Sequence, residues 1–490
     1  MPKERADFID EKQIEAWLEK ARRAGREEAR QIIEKARQAK GLSPYECAVL
    51  LHLEDGELLE EMYREAKKSK ENIYGRRLVL FAPLYVSNYC VNNCVYCGYR
   101  RANDTMPRRR LDMEELRAEV KILESLGHKR LALEAGEDPV ECPIDYILAA
   151  IRAIYEVKEA NGSIRRINVN IAATTVENYR LLKEAGIGTY ILFQETYHRA
   201  TYAAMHPSGP KRDYDYHTTA LDRAMLGGID DVGAGVLFGL YNYKFEVLAL
   251  LQHALHLEKR FGVGPHTISV PRLRPARGVN YDNFPHLVDD AAFKKIIAVL
   301  RLAVPYTGII LSTRERAELR DELISVGVSQ ISAGSCTGVG GYQLEHDKPQ
   351  SSLQYSSNCK GGCSHYEQDP TNAGDTMQFQ VEDHRSPDEV LRSVCQAGYI
   401  PSFCTACYRS GRTGDRFMAL AKSGQIQNVC QPNAILTFKE FLEDYASPAT
   451  REAGAKVIAD HLREITNPKV RHLTQERLKL IEQGQRDFYF

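Results

Sequence analysis

Two sets of three cysteines carry the clearest chemistry in this 490-residue chain. Cys90, Cys94 and Cys97 form Cys-x3-Cys-x2-Cys on a loop, and Cys404, Cys407 and Cys430 form Cys-x2-Cys-x22-Cys. Iron–sulfur cubes that only carry electrons use four cysteine ligands. A three-cysteine set therefore borrows a ligand or leaves one iron open to bind a small molecule. Zinc is the competing occupant. The first set has no nearby histidine to close a tetrahedron, whereas the second closes one if a fourth ligand is supplied from elsewhere. Cys359 and Cys363, in Cys-Lys-Gly-Gly-Cys, belong to neither set; they are incidental, pair with each other or bind metal. Cys47, Cys142, Cys336 and Cys395 lack metal-like spacing and read as buried small residues.

The elements that must position these thiolates follow from periodicity. Asp10 to Ala39 is charged, with Ile14, Trp17, Leu18 and Ala21 at helical spacing, and predicts one or two amphipathic helices on the outside of a larger core. Ser43-Pro44 supplies an N-cap and a first-turn proline for a helix through Leu53, and Glu57 to Lys70 predicts another. After Gly75 short apolar runs alternate with longer amphipathic segments, the pattern of repeated βα units. Eight strands are expected: Leu78–Val86, Leu131–Ala135, Ile167–Ile171, Tyr190–Gln194, Val232–Phe238, Thr267–Leu273, Gly308–Ser312 and Val328–Ala333.

Eight such units predict an α/β fold, a (β/α)8 TIM-type barrel whose chemistry gathers at the C-terminal ends of its strands, where the first cysteine loop falls. Several strands carry polar residues at alternate positions: Asn168 and Asn170, Thr267 and Ser269, Ser312 and Arg314, Gln330 and Ser332. Ordinary barrel interiors are filled by branched apolar side chains, so this alternation predicts a wet interior that small molecules can occupy or cross. Beyond Gly340 the pattern stops. Helices at Phe438–Tyr445, Ala449–Leu462 and Thr474–Gln485 then suggest a mostly helical second unit around Cys404. The expected division is a helical extension over 1–75, the barrel over 76–340 and a cluster-binding unit over 341–490.

Lysine and arginine number 65 against 66 aspartates and glutamates, so no net field favours a polyanion and nucleic-acid binding gains no support. The basic groups Arg108-Arg109-Arg110 and Arg165-Arg166 read as solvated surface. Met1 to Lys20 has no apolar signal core and no stretch is long enough to span a bilayer, so a cytoplasmic protein in a reducing, anaerobic compartment is expected.

The cysteine loop, with Tyr96 beside its third cysteine, resembles that of the radical S-adenosylmethionine (SAM) superfamily. That resemblance implies a [4Fe–4S] cluster on Cys90, Cys94 and Cys97 whose open iron chelates SAM, and reductive cleavage to a 5′-deoxyadenosyl radical. It also implies that Gly136 permits close backbone approach and that Glu137 meets the SAM amino group. Gln194-Glu195-Thr196-Tyr197, Met205-His206-Pro207-Ser208-Gly209-Pro210 and Leu311-Ser312-Thr313-Arg314-Glu315 are similar to the aromatic-amino-acid lyase branch. This branch includes the tyrosine lyase of thiamine synthesis and the tyrosine lyases that mature [FeFe] hydrogenase. By that likeness Arg314 holds the amino-acid carboxylate, helped by Ser332 and Tyr85.

The string Phe403-Cys404-Thr405-Ala406-Cys407-Tyr408-Arg409-Ser410-Gly411 resembles the hydrogenase-maturing family; the thiamine-pathway lyases lack the triad. The resemblance implies an auxiliary [4Fe–4S] cluster on Cys404, Cys407 and Cys430, carrying an additional iron linked through a free cysteine and held partly by His266. It implies L-tyrosine cleaved to p-cresol and dehydroglycine, and conversion of dehydroglycine to carbon monoxide and cyanide for the hydrogenase H-cluster. The implied partners are a flavodoxin or ferredoxin as electron donor and a HydF-like maturation scaffold. The alternatives are a thiamine-type lyase that releases dehydroglycine, a non-catalytic Fe–S carrier, and a sulfur-inserting or methylthiolating enzyme.

Overall fold

The computed structural model describes residues 4–347 and 376–490. Cys359 and Cys363 lie outside the described residues. Four helices come first: α1 (Glu11–Ala21), α2 (Arg26–Ala36), α3 (Pro44–Leu51) and α4 (Gly56–Tyr74). Ser43 closes a full capping box with Glu46 ahead of Pro44, which satisfies orphan N–H groups at the start of α3. Ile14, Leu18 and Ala21 form the buried stripe of α1. α3 and α4 pack on the outer helices Tyr243–Phe261 and Asp290–Ala303, so the expected helical cover is in place.

Eight parallel strands then close a barrel: β1 (Arg77–Ser87), β2 (Arg130–Ala135), β3 (Arg166–Asn170), β4 (Thr189–Glu195), β5 (Asp231–Val236), β6 (Thr267–Ser269), β7 (Gly308–Leu311) and β8 (Gln330–Ser332). Closure comes from β1, which pairs β8 through Val79–Phe81 and β2 through Ala82–Ser87. Two register shifts mark its upper rim, between Tyr85 and Ser87 on β1 and between Phe193 and Glu195 on β4. Glu195 sits at φ 69°, a region costly for a side chain with a Cβ. Bulges re-aim side chains beside active sites, and Tyr85 and Glu195 both line the cavity described below.

A ninth strand, β9 (Ile400–Ser402), was not expected. It pairs parallel with the lower end of β1, Arg77 opposite Ile400 and Val79 opposite Ser402, below the stretch that β2 occupies. Cys404 follows two residues later. The C-terminal helices run Pro387–Gln396, Gln427–Asp444, Pro448–Glu464 and Pro468–Glu482. The second of these starts eleven residues before the expected Phe438 and runs across Pro432. The proline lies early in the helix and forgoes one backbone bond there, so Cys430 is helical.

Candidate active site and a second thiolate centre

At the C-terminal end of the strands lies a cavity of about 210 Å³. Cys90, Cys94 and Cys97 open into it, with Tyr85, Tyr96, Gly136, Glu137, Arg314 and Ser332, so the first-site residues expected from sequence share one chamber. Burial raises the Cys94 and Cys97 thiols, as suits ligands that ionise only when metal arrives. The side-chain amide of Asn92 approaches Cys90 Sγ at 3.8 Å, and Gln378 Nε2 approaches Cys97 Sγ at 3.6 Å. A thiolate trio flanked by N–H donors on an open chamber fits a [4Fe–4S] cluster with one exchangeable corner.

The loop that carries these thiols is anchored at several points: Val91 N donates to the Glu137 carbonyl at 2.7 Å, Asn93 N to that of Ser208 at 3.2 Å and Val95 N to that of Met205 at 3.0 Å. Gly136 is required by the loop itself: a Cβ there would lie 2.3 Å from the Tyr89 carbonyl and 3.3 Å from Cys90 Cβ. Gly136→Ala is therefore expected to displace the loop, lower the iron it retains and abolish 5′-deoxyadenosine formation. Iron per chain in a Cys430→Ala background reads the first site alone, and full loading there would remove this argument. Arg108 donates to the carbonyls of Asn88, Tyr99, Arg100 and Asn103 at 2.6 to 3.1 Å, binding the loop from beneath. For Arg108 this corrects the solvated-surface reading, while Arg110 is exposed as expected: loop carbonyls need a donor, and a five-donor guanidinium serves several at once.

Glu137 accepts from Asn92 Nδ2 at 2.5 Å, and burial raises its carboxyl. Tyr96 meets His206 Nε2 through its hydroxyl at 2.9 Å; burial lowers that imidazole to about 3, so it is neutral. Lys211 pairs with Glu195 at 2.7 Å. Burial pushes its ammonium down, but Glu195 and Cys94 outweigh this and hold it above the ordinary value. Ser332 Oγ accepts from Thr313 N at 3.2 Å, fixing the turn that presents Arg314, whose guanidinium lies 3.4 Å from the Phe379 ring centroid. Tyr85 donates to Gln378 at 3.0 Å. Sequence reasoning missed Lys211, Gln378 and Phe379; the last two follow a polar stretch with no periodicity to flag them.

A second cavity of about 60 Å³ sits at the opposite end of the barrel. Cys404, Cys407, Cys430 and His266 line it together, as expected, with Arg77 and Arg130 from the bottoms of β1 and β2. Cys407 and Cys430 share a hydrogen bond that lowers the Cys430 thiol. Burial opposes the Arg77 charge, but Cys430, Cys404 and Cys407 raise its pKa overall. Arg130 donates to the Cys404 carbonyl at 3.0 Å, and the Ala406 amide approaches Cys404 Sγ at 3.4 Å. Burial lowers His266, which stands 3.6 Å from Asp231. A neutral imidazole beside three thiols fits a metal centre.

Arg165 and Arg166 are also corrected. Arg165 is bound to buried Glu440 at 2.9 Å. Arg166 lies over the Tyr408 ring, with Nε unpartnered among the described residues, and burial lowers it to about 10. A Cβ on Gly188 would collide with its guanidinium. Barrel strands begin at their lower rim, so a charged residue opening a strand faces inward where the second unit covers that rim.

The radical SAM superfamily model matches residues 84–254, and that of the Biotin and Thiamin Synthesis associated domain matches residues 269–400. Barrel, loop and open thiolate trio thus define a radical SAM enzyme. A crystal structure of HydG, described as a maturase of the [FeFe]-hydrogenase, is 61% identical, covers 99% of this chain and 100% of its own, and superposes with a TM-score of 0.92. HydG from Carboxydothermus hydrogenoformans is 39% identical over 96% of this chain and 97% of its own, at a TM-score of 0.79. The 2-iminoacetate synthase of Escherichia coli (strain K12) is 30% identical over 75% of this chain and 89% of that protein. The chain belongs to the HydG family.

Proposed function

We propose that the protein cleaves L-tyrosine between Cα and Cβ to p-cresol and dehydroglycine, then converts dehydroglycine at the second thiolate centre to carbon monoxide and cyanide for hydrogenase H-cluster assembly. The observation that carries this reading is the pair of three-cysteine centres opening into cavities at opposite ends of one barrel. The names of the relatives, a hydrogenase maturase and a 2-iminoacetate synthase, agree with its two halves.

With SAM and a [4Fe–4S] cluster on Cys90, Cys94 and Cys97, the first site supplies a primary carbon radical, and an auxiliary cluster with an additional iron and free cysteine supplies a Lewis acid at the second. Glu137 receives the SAM amino group, Gly136 keeps the loop close and Tyr96 walls the chamber. Arg314 grips the tyrosine carboxylate as a two-pronged donor, steadied by Phe379 and by the Ser332-held turn. Tyr85 and Ser332 line the substrate space, and enclosure keeps the radical from solvent. His266 and Cys404, Cys407 and Cys430 hold the second group. The polar residues Asn168, Thr267 and Gln330 are buried in the barrel, and Gln330 lines the second cavity. Residues 341–490 act in this reading as the auxiliary-cluster unit on a barrel of 76–340. The electron enters from a flavodoxin or ferredoxin, and the product leaves to a HydF-like scaffold.

The test is an anaerobic incubation of reconstituted protein with SAM, L-tyrosine and dithionite, assaying p-cresol and haem-trapped carbon monoxide. Both are expected. Cresol alone would assign a thiamine-type lyase, and neither would remove tyrosine as substrate.

A further inference from the structure

We propose that the carboxylate of Glu134 takes the proton of the substrate ammonium group while Arg314 holds the substrate carboxylate, so that the chamber grips both ends of a free α-amino acid. This inference rests on the tyrosine-lyase reading and adds the group that readies the amine.

Register places the residue. Tyr85 of β1 is opposite Glu134 of β2, and Glu134 is opposite Asn170 of β3, so the three side chains form one row across the upper barrel. All three line the chamber, as does Arg314 beyond the end of β7. Glu134 Oε2 accepts from Asn170 Nδ2 at 2.6 Å. Its Oε1 receives no hydrogen bond among the described residues. Arg314 lies against Phe379. Each group is thus held by a neutral neighbour, and among the described residues no ion pair closes the gap between them. A guanidinium and a titratable carboxyl facing one chamber without joining are the complement of a zwitterion. Glu134 is half-buried and faces the chamber, so its second oxygen is free to take an ammonium donor.

The chemistry needs such a group. Hydrogen-atom removal from nitrogen leaves a radical stabilised by the nitrogen lone pair, and an ammonium ion has none to offer. In the step proposed, one N–H bond of the ammonium breaks heterolytically and an O–H bond forms on Glu134. This leaves a neutral amine and a neutral carboxyl, with no net electron transfer. The groups facing Glu134 are Arg314, Asn170, Tyr85 and Tyr99. Burial dominates among them and lifts the carboxyl to about 8, against the opposing pull of Arg314 and Asn170. A peptide's terminal amine titrates near 8 and the ammonium of a free amino acid, next to its own carboxylate, about a unit higher, against about 4.3 for an ordinary glutamate, so burial brings the acceptor to within about a unit of its donor and makes the transfer nearly balanced.

The experiment compares wild type with Glu134→Gln, which keeps the size of the side chain and an oxygen for Asn170. Iron content and SAM affinity serve as folding controls. At neutral pH the variant is expected to lose about a hundredfold or more in the rate of p-cresol release. Because the base must be ionised, wild-type kcat/KM for tyrosine should rise with pH through about 8. In the variant this limb should move up to the titration of the free amino acid, which then has to arrive already neutral. A variant with the wild-type rate and profile overturns the role of Glu134 and leaves the lyase reading intact. A wild-type profile that is flat through that range overturns it without recourse to the variant, should Glu134→Gln fail to hold its cluster. Absence of p-cresol from wild type at every pH overturns both.

Discussion

Reconstituted Cys404→Ala protein is expected to release p-cresol at close to the parental rate while its carbon monoxide yield falls about a hundredfold or more, the loss of several kcal/mol of metal assistance. The expectation follows from the separation of the two centres. Among the described residues none lines both cavities. The bond from Arg130 runs to the backbone carbonyl of Cys404 rather than to its thiol, so truncating the side chain leaves that anchor in place. What is lost is one of three thiolates and the sulfur that the Ala406 amide approaches. Parallel loss of both products would tie the two reactions to one centre, and unchanged carbon monoxide would remove the second triad from the chemistry.

Arg314→Ala should cut kcat/KM for tyrosine by roughly a hundred- to a thousandfold, since charged hydrogen bonds contribute about 1.5–3 kcal/mol each and a carboxylate takes two from a guanidinium. Arg314→Lys should recover little of this, because an ammonium cannot reproduce the planar fork or its stacking on Phe379. SAM affinity reads the integrity of the first site independently. An unchanged kcat/KM in the alanine variant would place the tyrosine carboxylate elsewhere in the chamber.

The two cysteine triads were legible because metal chemistry constrains spacing, and the eight barrel strands because each apolar run is flanked by an amphipathic one. His266 and Arg314 could be named only through family resemblance, since a lone histidine or arginine leaves no periodic mark. Other features were hidden for specific physical reasons. β9 is three residues long and contains Pro401, so neither alternation nor propensity announces it; its existence is a tertiary fact about the free edge of β1. Arg108 and Arg166 looked like surface because charge usually seeks water, and only the folded chain reveals the carbonyls of one and the aromatic partner of the other. Glu134 escaped notice beside the Gly136-Glu137 pair, although its place on an inward-facing position of β2 was already implied by the strand.

The graft of β9 onto the lower end of β1 bears on how this enzyme arose and how it can be cut. A chain shortened before residue 400 would leave the N–H and C=O groups of Arg77 to Val79 bare on one side, and exposed strand edges invite association with other chains. The cluster-bearing segment is therefore not a detachable module hung on a finished barrel. A descendant that discarded the second chemistry would have to acquire a new plug for that seam, and a minimal barrel made by design would need one too.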